Sequence, residues 1–324
     1  METNKKVERR KLGNSSLYVS PIGIGVMQFA GGGGMFNFMF SNIPQQEKDR
    51  IVKTALESGI NWFDTAEYYG RGQSERTLRA GLANNQIKDE DVLLATKWWP
   101  ALRTAENIRR TFNTRQKNLA GYTIDLFQVH WPISFSPPEA EMEVMADLVE
   151  QGKIRAVGVS NFSADYTRRA HAALERRGLG LASNQVHFSL IYRKIETNGI
   201  LETAKELGVT IIAYSPLAAG LLTGKFHYDP QALRNTPIAR RVNLTRQLHK
   251  SRPLVDAMDE IAKRHGVTIT QVALNWTIYF HGETIVAIPG ASSVQHAREA
   301  AGVMDFRLTD EEMDTLDQLS RRFR

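Results

Sequence analysis

Cysteine is absent from the 324 residues of this chain. Its absence excludes disulfide bonds, thiolate metal ligands and cysteine nucleophiles, and it is consistent with a reducing compartment. The chain also lacks any run of 18 apolar residues, so no transmembrane helix is predicted. Residues 1–6 contain no apolar stretch of the kind found in secretory signals, and we therefore expect a cytoplasmic protein.

A strong excess of charge of either sign is also missing. The chain has 41 Lys and Arg against 35 Asp and Glu, which leaves a net charge of +6. The basic residues are spread along the chain and form no stripe beside a recognisable nucleic-acid-binding module. We therefore predict no nucleic-acid partner and no membrane partner, and expect an anionic small molecule to account for part of the basic charge.

Short apolar segments alternate with longer amphipathic ones along the chain, which predicts an α/β fold with a parallel sheet. Eight strands are predicted, at 22–27, 61–64, 92–97, 126–130, 156–159, 183–186, 210–215 and 284–288. Helices are predicted at 45–58, 74–82, 105–120, 138–151, 164–177, 197–207, 253–265, 270–280 and 294–301, with an extra C-terminal helix at 310–319. A β-hairpin at 7–19 precedes them. The pattern is typical of one (β/α)8 TIM barrel domain covering residues 1–324.

A doubly wound dinucleotide-binding fold is the alternative architecture, and it requires a glycine-rich phosphate turn after the first strand. The candidate turn, 23–28, lacks the third glycine of that fingerprint, and no acidic residue ends a second strand at the required distance. Any dinucleotide bound by this chain therefore binds without the fingerprint.

Four polar residues lie at or just after the ends of three successive predicted strands: Asp64, Tyr69, Lys97 and His130. TIM-barrel enzymes carry their catalytic residues at this end of the strands. A carbonyl that accepts hydride becomes an alkoxide and needs a proton, which a tyrosine can donate when a neighbouring ammonium tunes its pKa. Asp64 would balance the charge of a buried Lys97, and His130 would give a second hydrogen bond to the carbonyl oxygen.

With these residues in this order, the sequence from about Lys11 to about Ser320 resembles the aldo-keto reductases, barrel enzymes that reduce carbonyls with a nicotinamide cofactor. The resemblance implies that Tyr69 is the general acid, that Lys97 and Asp64 tune it, and that His130 orients the carbonyl. It also implies that a hairpin closes the bottom of the barrel. We therefore expect an NADPH-dependent reductase of an aldehyde or ketone.

The second half of the chain supplies most of the residues expected to hold the cofactor. Side chains that end two strands, Ser160, Asn161 and Gln185, suit the nicotinamide carboxamide, and Tyr214 is placed to stack on the nicotinamide ring. The small-residue loop that follows resembles the pyrophosphate loop of the family, with contacts expected from Ser215, Pro216, Leu217, Gly220, Leu222, Gly224 and Lys225. Val26, Met27 and Asp64 complete the expected contacts from the first half.

The segment after the last strand corresponds to the part of the family that holds the adenosine 2′-phosphate and the adenine. Family members commonly carry Lys or Arg there, whereas this chain has uncharged residues and a histidine. Contacts are expected from Ile288, Gly290, Ser292, Ser293, His296, Arg298 and Glu299, the last of these to the adenine amide. NADPH is the expected cofactor, and NADH is the second candidate.

Aromatic residues near the catalytic set predict an apolar carbonyl substrate. The pocket is expected to contain Phe29, Trp98, Trp99 and Trp131. A flap over its mouth is predicted at 31–43, where a glycine run precedes several Phe and Met residues. A lid with little regular structure is predicted in the segment that ends at Arg252. Substrate identity, reaction direction and oligomeric state stay open.

Three other functions stay open as well. A cofactor-holding regulatory subunit, as some relatives of the family are for ion channels, would retain its nicotinamide with little turnover. An atypical nicotinamide-dependent step in natural-product biosynthesis would use the same residues. A metal hydrolase would need several His, Asp and Glu ligands at the strand ends, and only Asp64 and His130 qualify, so no metal is expected.

Overall fold

A short antiparallel hairpin, β1 (Arg10–Lys11) and β2 (Tyr18–Val19), lies across one end of the fold. The computed structural model of the protein describes residues 8–31, 43–236 and 238–324. Gly13 turns the hairpin with a φ of 52°, and its backbone N–H donates to Thr210 Oγ1 over 2.8 Å. A Cβ at Gly13 would lie only 2.1 Å from the carbonyl oxygen of Ala182, so the turn presses against the neighbouring strands and requires glycine.

Eight parallel strands form the barrel, and each pairs with the next one along the chain. They are β3 (Ile24–Gly25), β4 (Trp62–Asp64), β5 (Leu93–Trp98), β6 (Ile124–Val129), β7 (Ile154–Ser160), β8 (Leu181–His187), β9 (Thr210–Tyr214) and β10 (Ile285–Ile288). Isolated bridges from Ile22 to Ala287 and from Gly25 to Gly290 join the first strand to the last. The predicted (β/α)8 barrel with its hairpin is thereby confirmed.

Helices cover the outside of the barrel. They are α1 (Gln45–Glu57), α2 (Gln73–Asn84), α3 (Glu106–Asn118), α4 (Pro138–Glu150), α5 (Ala164–Glu175), α6 (Ile200–Leu207), α7 (Lys225–Tyr228), α8 (Pro230–Arg234), α9 (Ile238–His265), α10 (Ile269–Tyr279), α11 (Val294–Gly302) and α12 (Asp310–Ser320). Local sequence sets several boundaries: Thr268 with Gln271 and Thr309 with Glu312 form capping boxes that begin α10 and α12.

Two apolar layers follow from the alternation of side chains along the strands. The smaller layer fills the barrel interior and is closed below by the hairpin: it contains Leu12, Leu17, Val19, Trp62, Ala95, Leu126, Ala156, Ala182, Ile212, Val286 and Ile288. The larger layer lies between the strands and the helices. Because β5 alternates, Ala95 and Lys97 face the interior, while Leu94 and Trp98 face the outer layer.

The segment before Pro253 differs from its prediction. Little regular structure is expected up to Arg252 because the segment has few regular signals and several basic residues, but α9 starts at Ile238 and runs through Pro253 for 28 residues. Leu244, Leu254 and Met258 are buried along this helix, so packing outweighs the hydrogen bond that proline removes. The expectation of little regular structure is therefore wrong. Closure over a cofactor stays a prediction.

Most of the predicted flap, residues 32–42, lies outside the described residues, as does residue 7 of the predicted hairpin. None of the helices in the described ranges combines the length and apolarity needed to cross a bilayer.

A buried charge cluster around Arg193 ties α12 to the barrel. Arg193 has no exposed surface, and its guanidinium pairs with Glu196 and with Asp317 at 2.6 Å each. The same group donates to Ser320 Oγ over 2.6 Å and lies 4.7 Å from the ring centroid of Trp276. Removing a buried cation leaves its carboxylates with fewer partners in a medium of low dielectric constant, so the loss of Arg193 should lower the stability of the fold.

We expect Arg193→Met to lower the free energy of unfolding by about 3 kcal/mol, because Glu196 and Asp317 would stay buried with fewer partners. Arg321→Met is the matched control: Arg321 pairs with the same Asp317 but is 61% exposed, so its loss should cost less than about 1 kcal/mol. Urea denaturation followed by circular dichroism compares the two variants. Equal losses would contradict the assignment of Arg193 as the main partner of these carboxylates.

Candidate active site

Asp64 and Lys97 form an ion pair at the carboxyl ends of neighbouring strands. The side chains are 2% and 0% exposed, and Lys97 Nζ also donates to the carbonyl oxygen of Thr65 over 2.8 Å. Burial alone would lower the pKa of Lys97, but the Asp64 carboxylate and Tyr69 raise it above its ordinary value. The lysine is therefore a fixed cation at the base of the site.

Two glutamines complete the hydrogen bonding of Asp64. Gln128 Nε2 donates to Asp64 Oδ2 over 3.2 Å, and Gln185 Nε2 donates to the same oxygen over 3.0 Å. The two amides are also joined, with Gln185 Nε2 lying 3.4 Å from Gln128 Oε1. Sequence reasoning identified Gln185 but missed Gln128. The available signal was an amide two residues before His130, at a strand position that shares the inward face with Lys97 of the neighbouring strand.

Tyr69 lies above this ion pair in the loop that joins β4 to α2. Its ring centroid is 5.1 Å from Lys97 Nζ, and its backbone N–H donates to the carbonyl of Ala66 over 3.1 Å. Burial raises the pKa of the Tyr69 phenol, while the charge of Lys97 opposes this shift. Lys97 therefore acts to lower the pKa of Tyr69, as expected, but burial raises that pKa by more. Tyr69 therefore carries its proton at neutral pH.

His130 directly follows β6 and faces Tyr69. The two ring centroids are 5.6 Å apart in an edge-to-face arrangement, and the Trp99 ring lies 5.5 Å from His130 on another side. Burial, assisted by the charge of Lys97, lowers the pKa of His130 to about 2. Its Nδ1 has no hydrogen-bond partner among the described residues. His130 is therefore a neutral imidazole that can donate or accept a hydrogen bond beside the tyrosine hydroxyl.

Glu67 clamps the loop of Tyr69 to the end of β5. Its backbone N–H donates to the carbonyl of Lys97 over 3.0 Å, and its carboxylate accepts the backbone N–H of Trp99 over 3.0 Å. The same carboxylate pairs with Arg103 at 2.9 Å and with the nearly buried Arg115 at 3.1 Å. This clamp was not predicted, since a glutamate inside a loop carries no local signal that distinguishes it from a solvated residue.

Ser160, Asn161 and Tyr214 form one hydrogen-bonded chain at the ends of β7 and β9. Tyr214 OH donates to Asn161 Oδ1 over 3.1 Å, Asn161 Nδ2 donates to Ser160 Oγ over 2.9 Å, and Ser160 Oγ donates to the backbone carbonyl of Gln185 over 2.9 Å. One face of Tyr214 is covered by His187, whose ring centroid is 5.1 Å away and nearly parallel. The structure thus brings together the residues expected at the nicotinamide.

The loop after Tyr214 has an unusual backbone. Positive φ angles occur at Ser215 (50°), Ala218 (48°), Ala219 (54°), Gly220 (90°) and Gly224 (77°), and the loop contains a 3-10 segment at Ala218–Thr223. Three of these residues, Ala218 to Gly220, are consecutive, so the chain turns sharply there, and their small side chains let the backbone approach a bound group closely. Within the predicted phosphate loop, Pro216 and Leu222 are buried, Leu217 and Gly220 are half-buried, and Ser215 and Lys225 are exposed.

The expected adenosine segment begins at the closure of the barrel. Gly290 pairs with Gly25, and the end of the Gln28 side chain fills the space that a Cβ at Gly290 would occupy, 2.0 Å from Gln28 Nε2. Ser293 Oγ caps α11 by accepting the N–H of His296 over 3.3 Å, and Ser292 Oγ contacts the His296 ring at 3.1 Å. Arg298 is exposed. Glu299 accepts a hydrogen bond from Thr268 Oγ1 rather than facing an open site.

The four residues expected to line the substrate pocket fall into two groups. Trp99 stacks on Tyr68 with ring centroids 4.1 Å apart, and Trp131 is 38% exposed just after His130. Trp98 and Phe29 have no exposed surface and lie in the outer apolar layer, where Trp98 Nε1 donates to Asn107 of α3. The pocket assignment of Trp98 is therefore corrected, because strand alternation turns it away from Lys97. Phe29 is likewise enclosed.

Among the residues that the structure describes, no group of three His, Asp or Glu side chains is arranged to hold a metal ion. Asp64 is already bonded to Lys97 and two glutamines. The site is therefore one of hydrogen bonds and a buried charge pair.

Comparison with known proteins identifies the family of this chain. The model of the aldo/keto reductase family matches residues 21–321. The chloroplastic pyridoxal reductase of Arabidopsis thaliana is 34% identical over 325 residues, covering 96% of this chain and 86% of that protein. The chain therefore belongs to the aldo/keto reductase family and is an oxidoreductase.

Solved structures of the family share the fold. The glycerol dehydrogenase of Gluconobacter oxydans superposes with a TM-score of 0.79 at 27% identity, covering 98% of this chain and 96% of its own. An aldo-keto reductase of Klebsiella pneumoniae, solved in complex with NADPH, gives a TM-score of 0.74 at 24% identity, covering 97% of this chain and 95% of its own. The latter likeness concerns the fold alone.

The lowered pKa of His130 predicts that its ring stays neutral between pH 8 and pH 5, whereas an ordinary histidine titrates near 6.5. The ring nitrogen shifts of 15N-labelled protein measure this directly, and the spectrum of His130→Gln assigns the signal by its disappearance. A His130 signal that titrates with a midpoint between pH 6 and pH 7 would contradict the assignment of a buried, neutral imidazole.

Proposed function

We propose that this protein is a nicotinamide-dependent reductase of aldehydes or ketones, with Tyr69 as the proton donor. The observation that carries the proposal is a single cluster: a buried Lys97–Asp64 ion pair, a protonated tyrosine above it and a neutral His130 beside the tyrosine. A carbonyl oxygen placed between Tyr69 and His130 would receive a hydrogen bond from each.

The residues fit a nicotinamide dinucleotide. Ser160, Asn161 and Gln185 present a hydroxyl and two amides, which match the donor and acceptor of a carboxamide. His187 covers one face of the Tyr214 ring. Burial chiefly raises the pKa of Tyr214, and the nearby Tyr69 adds to that rise. The small-residue loop from Ser215 to Gly224, with its sharp left-handed turn, suits the close approach of a pyrophosphate. NADPH is the proposed cofactor, with Ser292, Ser293, His296 and Arg298 near its 2′-phosphate.

When bound, the nicotinamide supplies a hydride to the carbonyl carbon. Tyr69 then transfers its phenolic proton to the carbonyl oxygen, and the adjacent Lys97 ammonium stabilises the phenolate that remains. Asp64 keeps Lys97 in place, and the two glutamine amides hold Asp64. Neutral His130 orients the carbonyl without adding a second positive charge beside Lys97.

The substrate we propose is apolar or aromatic next to its carbonyl. Support comes from the Tyr68–Trp99 stack and the exposed Trp131, which flank His130. Such rings offer wide apolar contact area with little loss of conformational freedom on binding. An aromatic aldehyde is consistent with the pyridoxal reductase named among the relatives.

We expect Tyr69→Phe to reduce turnover by at least about 100-fold while nicotinamide binding is retained, because the proton donor is lost and the ring stays. Tyr68→Phe is the matched control: it removes the neighbouring hydroxyl, and its turnover should stay within about threefold of the wild-type value. Steady-state oxidation of the reduced nicotinamide with an aromatic aldehyde, together with fluorescence titration of the cofactor, makes the comparison.

Equal losses in the two tyrosine variants, or full activity of Tyr69→Phe, would remove the role of Tyr69. A wild-type protein that binds the nicotinamide tightly but turns over no carbonyl would instead favour a cofactor-holding regulatory subunit.

A further inference from the structure

A carboxylate lies at the amino end of α11. Glu47, in the first turn of α1, accepts a hydrogen bond from the backbone N–H of Val294, the first residue of α11, over 3.1 Å. The two residues are 247 positions apart in the chain and meet because α1 and α11 pack side by side across the closure of the barrel. Glu47 is 29% exposed, so this contact is partly screened from solvent.

Three other backbone donors around this helix end also have partners within the chain. The N–H of His296 donates to Ser293 Oγ over 3.3 Å, and the N–H of Ala297 donates to the carbonyl of Ser293 over 3.3 Å. The N–H of Ser292 donates to the His296 ring over 3.4 Å. Helix ends attract anions through free N–H groups and a partial positive charge, and here the Glu47 carboxylate occupies the N–H of Val294.

The chain segment at this helix end carries little positive charge. Residues 290–297 contain neither Lys nor Arg. Arg50 lies 3.7 Å from Glu47 Oε2 on the same helix, so its charge is matched against that carboxylate. Arg298 is exposed on α11, in the second turn. A dianionic 2′-phosphate placed beside Val294 would therefore lie close to the negative charge of Glu47. A ribose 2′-hydroxyl at the same place could instead donate a hydrogen bond to the Glu47 carboxylate.

We propose that Glu47 is a specificity-determining residue that weakens selection for the 2′-phosphate, so that the protein binds NADH about as tightly as NADPH. This inference rests on the proposed nicotinamide site. It modifies the cofactor preference set out above: the serine hydroxyls and His296 can contact a 2′-phosphate, but the carboxylate at the end of α11 opposes its charge. Removing that charge should favour NADPH selectively.

The test compares wild type, Glu47→Gln and Glu57→Gln. Glutamine at 47 keeps an oxygen that accepts the N–H of Val294, so the helix end stays capped while the charge is lost. Glu57 ends the same helix, is 65% exposed and pairs only at 3.8 Å with Lys53, so Glu57→Gln makes the same charge change far from α11. Tryptophan fluorescence titration gives Kd for NADPH and NADH, and calorimetry gives Kd for 2′,5′-ADP and 5′-AMP.

We expect wild-type Kd values for NADPH and NADH within about threefold of each other. Glu47→Gln should tighten NADPH and 2′,5′-ADP about tenfold, as expected for removing one like charge a few ångströms away, and change NADH and 5′-AMP by less than about twofold. Glu57→Gln should leave all four values within about twofold of wild type.

Three results would overturn the inference. They are a strong wild-type preference for NADPH, an unchanged NADPH-to-NADH ratio in Glu47→Gln, and an equal shift in Glu57→Gln, which would reflect net charge alone. Failure of the wild-type protein to bind either nicotinamide would instead overturn the proposed function, and the inference with it.

Discussion

The buried ion pair of Lys97 and Asp64 is the interaction on which the rest of the site depends. An isolated charge inside a barrel would be strongly destabilising, and neither member could be buried without the other. The pair is possible because β4 and β5 are adjacent and parallel, which brings the ends of both strands to the same edge. Gln128 and Gln185 then satisfy the second oxygen of Asp64 and extend the network across the barrel.

Desolvation determines how the neighbours of that pair behave. It raises the pKa of Tyr69 and lowers that of His130 to about 2, so both groups are neutral at physiological pH beside a single cation. A neutral donor pair around one buried ammonium is suited to meet an oxygen that becomes negative during reaction. At the other end of the proposed cofactor site, Glu47 places a negative charge at a helix end that would otherwise attract anions.

The sequence predicted the fold in some detail because its signals are local. Alternating apolar segments marked eight strands, and most helix boundaries agree with the structure to within a few residues because caps such as Thr268 and Thr309 act within one turn. Proline misled the prediction at 253, where burial of Leu244, Leu254 and Met258 continues a helix past a residue that usually starts one. The pocket assignment of Trp98 was wrong because consecutive residues of a strand point to opposite faces, so the residue after Lys97 points away from the site.

The sequence alone was enough to predict the main residues of the site: an acid, a tyrosine, a lysine and a histidine follow the predicted strands in the order expected for carbonyl reduction. Their roles stay predictions, although the structure brings them together. Only the tertiary structure decided which other residues join them. Gln128 meets Asp64, Glu67 meets Trp99 and Glu47 meets Val294 across 64, 32 and 247 positions respectively. The first two contacts depend on how the strands lie side by side, and the third depends on how the barrel closes; a local pattern in the sequence records neither arrangement.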